Sequence, residues 1–205
     1  MSDSWYQGLD RLQTRLGHRF AKSSLLHMAL THRSWSHERG GDNYERLEFL
    51  GDAILNAAVT AMLYDRFPDI AEGPLSSQKH NLVCGATLAK IGVELDLPSL
   101  MRLGEGARKN RVQDNLAKIE DVTEAVMGAI YLDAGYDRAA AVICQLMEAH
   151  VRELQVVTEQ QRDAYKNVIQ RLHELTQRHP LRTRPTFEVL DRHGAEHAPS
   201  FHIGV

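Results

Sequence analysis

Long apolar runs are missing from this sequence. No stretch reaches the roughly 18 consecutive apolar residues that a membrane span needs. Residues 1–20, MSDSWYQGLDRLQTRLGHRF, lack the basic segment and apolar core of a signal peptide. Cysteine is scarce, with only Cys84 and Cys144. Both fall in apolar helical patterns without disulfide or metal-ligand spacing, and read as reduced core residues of a cytoplasmic protein. An excess of positive charge is missing too. Twenty-four Lys and Arg face 27 Asp and Glu, a net of −3, so charge alone points to no nucleic-acid partner. The distribution is uneven: residues 160–205 carry +2 and five of the eleven histidines, leaving −5 for the rest. Three familiar chemistries lack their residues. There is no GxxxxGK phosphate loop, no zinc-ligand spacing, and no Ser/His/Asp or Cys/His set for nucleophilic catalysis.

What is present suffices for a core. Apolar residues make up 43% of 205, which suits one domain of about 150 residues and a smaller module. They recur at helical spacing through residues 5–156, and nothing alternates like a strand before residue 180. Leu9, Leu12 and Leu16 mark a first helix ending near Gly17. Ser23–Leu30 reads as a second, opened by a Ser cap. A third runs from Asp42 to about Phe67, where Pro68 stops it. Residues 75–95 read as one more, with Ser76 or Ser77 near its start, and Leu97–Gly106 as turns. Asn115–Leu132 and Tyr136–Val156 complete an all-α domain over residues 5–157. Residues 158–162 lie in the polar stretch TEQQRD and read as a linker. Residues 163–205 then follow an α-β-β order: a helix over Ala164–Arg178, and strands over Thr186–Leu190 and Ser200–Val205 around the loop Asp191–Pro199.

The carboxylates carry the chemistry. Glu45, Glu48 and Asp52 fall within about 60° of one helix face, opposite Leu47, Leu50 and Ile54. By itself this is the solvated face of an amphipathic helix. Two neighbours disturb that reading. Phe49 lies on the acidic side, away from the apolar stripe, and suggests that this face meets something, such as a second subunit. Gly51 in mid-helix costs up to about 1 kcal/mol against Ala and marks close backbone packing. Asp121 and Glu124 form a second pair at i, i+3 on a helix that continues AVMGAIYL, apolar on nearly every side. Acids on such a helix need salt bridges, an exposed helix end, or a cation. Clustered carboxylates without Cys or patterned His suit a hard ion, Mg²⁺ or Mn²⁺. If both helices present their acids to one cavity, a metal there activates water against a phosphodiester.

These segments resemble a known family. NYERLEFLGDAIL (Asn43–Leu55) is similar to the bacterial ribonuclease III signature, NERLEFLGD followed by two apolar residues. EDVTEAVMGAIYLDAGY (Glu120–Tyr136) resembles that family's second acidic segment, ADxxEAxxGAxYLD. LGHRFAKSSLLHMALTHRS, RFPDIAEGPLS and RLGEG resemble further landmarks, so the resemblance spans roughly residues 9–155. It implies an all-α nuclease domain acting as a homodimer on double-stranded RNA, with Mg²⁺ and no small-molecule cofactor. Glu48, Asp121 and Glu124 would be metal ligands, Asp52 and Glu124 catalytic carboxylates, and Glu45 a contact to RNA and metal in the cleft. Phe49 would plug a pocket of the partner subunit. Products would carry 5′-phosphate and 3′-hydroxyl ends with a two-nucleotide 3′ overhang, and substrates would include ribosomal RNA precursors.

Residues 163–205 resemble the first half of a double-stranded-RNA-binding domain. Gln170 on its first helix and His197 in GAEHAPSF would touch the minor groove. The third strand and second helix do not follow in this sequence, so weak RNA binding by this segment is expected. Other departures lie in the nuclease segment. ARKNRVQD (residues 107–114) stands where the family has an SGG stretch, and Arg108, Lys109 and Arg111 either contact RNA or form a solvated basic loop. Lys118 and Glu120 replace apolar or small residues beside Asp121. Two alternatives remain open: a non-catalytic RNA-binding scaffold on the same fold, and a di-iron helical enzyme. The first would be expected to have lost an acid, and the second wants ExxH pairs that are absent here.

Overall fold

The computed structural model describes residues 3–153 and two strands of the tail, Glu188–His193 and Ser200–Gly204. The chain divides into two compact units, Met1–Val156 and Val157–Val205. The described part of the first is helical: α1 (Asp3–Leu16), α2 (Ser23–Ala29), α3 (Arg33–Arg39), α4 (Glu45–Arg66), α5 (Glu72–Val83), α6 (Gly85–Glu94), α7 (Leu97–Leu100), α8 (Glu105–Lys109) and α9 (Leu116–Glu153), with a 3₁₀ turn at Val112–Asp114. Gly135, at φ 81° and ψ 178°, interrupts α9, which matches the two helical segments expected on either side of it.

The long helices α4 and α9 share the largest interface of any pair. The buried stripe of α4 is Leu47, Gly51, Leu55, Ala58, Val59 and Leu63. Leu50 and Ile54, expected on the core face, are only half-buried. Gly51 explains the rotation. A Cβ added there would overlap the Glu124 carbonyl, and one added at Gly128 would overlap the Leu47 carbonyl. Two helices meeting backbone to backbone must turn their glycines inward, and the flanking apolar residues follow.

Several local expectations change for identifiable reasons. The connection into α2 is capped from afar rather than by Ser23, which makes no cap bond. Asp133 of α9 accepts the Ala21 and Lys22 backbone N–H groups at 3.0 and 2.8 Å, and pairs with His18 Nε2 at 3.1 Å. Burial pushes the Asp133 carboxyl up, but these bonds outweigh it and hold the group below the usual carboxylate range. Residues 75–95 are two helices, because Cys84 is extended (φ −71°, ψ 152°). The break lets Gly85 approach the Glu120 carboxyl, which would have to shift to admit a Cβ. Cys84 and Cys144 are free but only half-buried, not core. The turn segment Leu97–Gly106 contains α7 and the start of α8.

α3 was not legible as a helix. It starts where His32 Nδ1 accepts the Ser34 N–H at 3.2 Å. The segment before it bonds to the chain entering α8: His32 N–H donates to Arg102 O, and Arg102 N–H to Leu30 O. In the second unit, β1 (Glu188–His193) pairs antiparallel with β2 (Ser200–Gly204), with an irregularity between Val189 and Asp191. β1 therefore takes in residues 191–193, which read as loop in sequence. Pairing with β2 orders residues that have no apolar alternation of their own. The expected linker 158–162 and helix 164–178, with Gln170 and His197, lie outside the described residues.

Gly51→Ala should lower unfolding free energy by about 3 kcal/mol, the upper end of an overpacking cost, because a backbone carbonyl cannot yield as a side chain can. Gly73, with nothing within 4 Å of an added Cβ, is the control. Urea denaturation should find Gly73→Ala near wild type, and equal stability of the two variants would contradict the crossing described here.

Candidate active site

The first turn of α4 is tied down from three sides. Asn43 Oδ1 accepts the Glu45 N–H at 2.9 Å, so the helix begins at Glu45 rather than at Asp42. Tyr44 N–H donates to Thr31 O at 2.9 Å. The buried Tyr44 ring sends its hydroxyl to Asp121 Oδ2, donating at 3.3 Å. Burial first, and Asp121 second, push the Tyr44 phenol far above its usual value, so it stays a donor. This bond joins α4 and α9 at the acidic end.

Four of the predicted acids meet where these helices cross. Glu48 is half-buried, and burial, then Asp121, raise its carboxyl above the usual range; Glu45 and Glu120 add to the effect. Glu124 is pushed up to about 8, by burial first and then by Asp52, Glu120, Glu48 and Asp121. Glu120 is raised by burial, Asp121 and Asp52. The charges on α4 therefore act on those of α9 and the reverse. Asp52 is exposed, and Asn56 Nδ2 donates to its Oδ1 at 2.7 Å and to its backbone oxygen at 3.0 Å. Glu45 sits at the edge, half-exposed, 3.9 Å from Arg33. Asp121 is the best-paired acid, with Lys118 Nζ donating to its Oδ2 at 2.7 Å. One of the compensations open to this acid, a salt bridge, is thus formed in this structure.

The donor set is oxygen only, partly desolvated and short of positive charge, which fits a hard divalent ion. Among the described residues, no group of three or more His, Cys, Asp and Glu side chains is already gathered tightly enough to hold one.

The other sequence candidates scatter. Phe49 is 83% exposed, on the outer face of α4. Beside the start of α4 lies an open pocket of about 560 Å³ lined by Leu25, Met28, Leu47, Leu50 and Leu132. Arg108 and Lys109 end α8 and are exposed. Arg111 is in the left-handed region (φ 53°) and spends its charge on Asp114, at 2.5 Å. Tyr44, Asn56 and the Lys118 pairing were not singled out in sequence. Asn56 at i+4 from Asp52 and Lys118 at i−3 from Asp121 are helix-neighbour spacings that carried the signal. Tyr44 had none, because its partner is far away in sequence.

A carboxyl raised on folding stabilises the fold fully below its unfolded pKa, and that contribution is lost as pH rises through its folded value. For Glu124 the window runs from the ordinary carboxylate range to about 8. In EDTA, Glu124→Gln should therefore be more stable than wild type at pH 8, on the order of 2–4 kcal/mol, and lose most of that advantage at pH 5. Urea denaturation at the two pH values checks this, and a pH-independent difference would contradict the electrostatic account.

Comparison with known proteins identifies the family of the helical unit. Residues 22–150 match the family described as Ribonuclease-III-like. The chain is 40% identical over 195 residues to Ribonuclease 3 of Hahella chejuensis, covering 95% of this chain and 82% of that one. It is 43% identical over 196 residues to Ribonuclease 3 of Alkalilimnicola ehrlichii, covering 95% and 81%. Among solved structures, the nuclease domain of ribonuclease III from Campylobacter jejuni, described for flexibility in a region involved in dimer formation, superposes with a TM-score of 0.65. It is 35% identical, over 69% of this chain and 96% of that one. The family match over most of the helical unit and relatives at this identity lead to one conclusion: the chain belongs to the ribonuclease III family, a family of ribonucleases.

Proposed function

We propose that this chain is an endoribonuclease that hydrolyses phosphodiester bonds of double-stranded RNA with a divalent cation. The observation that carries the reading is the meeting of Glu48 and Asp52 with Asp121 and Glu124 across the α4–α9 crossing. Glu48, Asp121 and Glu124 are the residues that would hold Mg²⁺, with Mn²⁺ as a substitute, and Glu45 lines the edge toward RNA. A bound ion of this type activates water for in-line attack and offsets charge on the leaving oxygen. The chain's own groups prepare the site. Tyr44 orients Asp121, and Asn56 orients Asp52. Asp52, exposed and unburdened by an ion pair, is available to accept a hydrogen bond from the attacking water. Glu124, the acid most destabilised as an anion, gains most from a cation. Attack on phosphorus with departure of the 3′ oxygen leaves 5′-phosphate and 3′-hydroxyl ends. Structured precursors, including ribosomal RNA, are the proposed substrates.

The same reading assigns the outer face of α4 to a second copy of the chain. Phe49, Ala53, Ala57, Thr60 and Tyr64 are all exposed at helical spacing. α4 is long and apolar enough to cross a bilayer, yet it packs along its length on α9. A two-fold partner covering Phe49 and using the pocket beside the start of α4 accounts for this apolar outer face. Arg108, Lys109 and Arg111 are the proposed phosphate contacts, the last also pairing with Asp114 in an exposed salt bridge. Gln170 and His197 are proposed minor-groove contacts of the tail.

Two measurements check this. A long RNA duplex should be cut with Mg²⁺ and not with EDTA or Ca²⁺, and Glu124→Gln should cut at least about 100-fold more slowly. Cleavage undiminished in Glu124→Gln would refute the assignment, and duplex binding by the wild type without cleavage would favour the scaffold reading. Sedimentation should show wild type as a dimer and Phe49→Asp shifted to monomer; an unshifted Phe49→Asp would remove Phe49 from the interface.

A further inference from the structure

Lys118 stands among the acids. Its ammonium donates to Asp121 Oδ2 at 2.7 Å, and the Lys118 and Asp121 side chains are 39% and 16% exposed. It lies near enough to Glu48 and Glu120 to favour their ionised forms. One turn of α9 thus places a positive charge on an oxygen of a proposed metal ligand. Glu120, two residues later, adds a negative charge with its carboxyl against Gly85. The pair leaves net charge at the cluster unchanged relative to uncharged residues, but moves a cation onto Asp121.

We infer that Lys118 is an internal counter-ion that holds Asp121 until a divalent cation displaces it, so that this exchange sets how tightly the site takes its metal. The inference rests on the metal reading above. The physical chemistry is a competition. An ammonium and a divalent ion cannot both sit against Asp121 without repelling each other. Lys118 is more than one-third exposed, on a flexible four-carbon stem, so its ammonium has a route to solvent when displaced. While it is paired, Asp121 is already compensated, and the ion must break that bond before it gains its own. The site then binds metal more weakly than the same acids would without Lys118, and stands better neutralised without metal.

The experiment is direct titration of the full RNA-free chain with Mn²⁺, reading free Mn²⁺ by electron paramagnetic resonance, and with Mg²⁺ by calorimetry. Melting in EDTA is measured in parallel. Lys118→Met removes the charge and keeps the stem, Lys118→Gln is a second neutral variant should the first fold poorly, and Lys118→Arg keeps the charge. The neutral variants should bind Mn²⁺ about two- to fivefold more tightly, the scale of a partly exposed ion pair. They should melt lower in EDTA and gain more from added metal, while Lys118→Arg stays near wild type. Neutral variants binding metal as wild type does, or more weakly, would overturn this inference and leave the metal reading standing. Absence of saturable binding by wild type and variants alike would overturn both.

Discussion

The backbone contact between Gly51 and Gly128 is the constraint on which the remaining structure depends. Neither position has room for a side chain, because each faces a carbonyl of the opposite helix. That closeness brings residues within one turn of Gly51, Glu48 and Asp52 among them, into electrostatic range of Asp121 and Glu124. A wider crossing filled by side chains would separate the acid pairs and let water screen them. The same contact sets the rotation of α4 about its axis, and so decides which of its residues are core, which are acidic cleft and which face outward.

α4 therefore serves three surfaces within a single helix. Leu47, Leu55 and Leu63 enter the core. Glu48 and Asp52 face α9. Phe49, Ala53 and Ala57 remain outside. A helix with only a core face and a solvent face would need no aromatic at 83% exposure. The proposed second subunit would cover that outer face, which lies beside the acidic one.

The acidic centre is held together against its own repulsion. Burial and neighbouring carboxylates raise Glu48, Glu120 and Glu124, and the groups that compensate are few: the Tyr44 hydroxyl, the Asn56 amide and the Lys118 ammonium. Fold stability is given up locally to keep acids close, which is the usual mark of a functional site. Elsewhere two described acids are well paired. Asp133 accepts two backbone N–H groups and pairs with His18, and the Arg66–Glu148–Arg152 cluster holds Glu148 at about 2. Asp133, held by three partners, and Glu124, raised by burial and by neighbouring acids, show the two extremes on the same helix.

Much of this was determined by sequence alone, because helices announce themselves by local spacing. The all-α character, the long helices, the acidic stripe and the displaced Phe49 all follow from positions within a few residues of one another. The second acid pair was legible because carboxylates on an apolar helix demand compensation. What tertiary structure decided involves partners distant along the chain. Capping of the segment before α2 comes from Asp133, not Ser23. The break at Cys84 goes with close packing of Gly85 on Glu120. Tyr44 reaches Asp121 across 77 positions. The rotation that buries Gly51 and leaves Leu50 half-exposed depends on Gly128. Periodicity shows that a helix has a face, but only the helix packed against it decides where that face is centred.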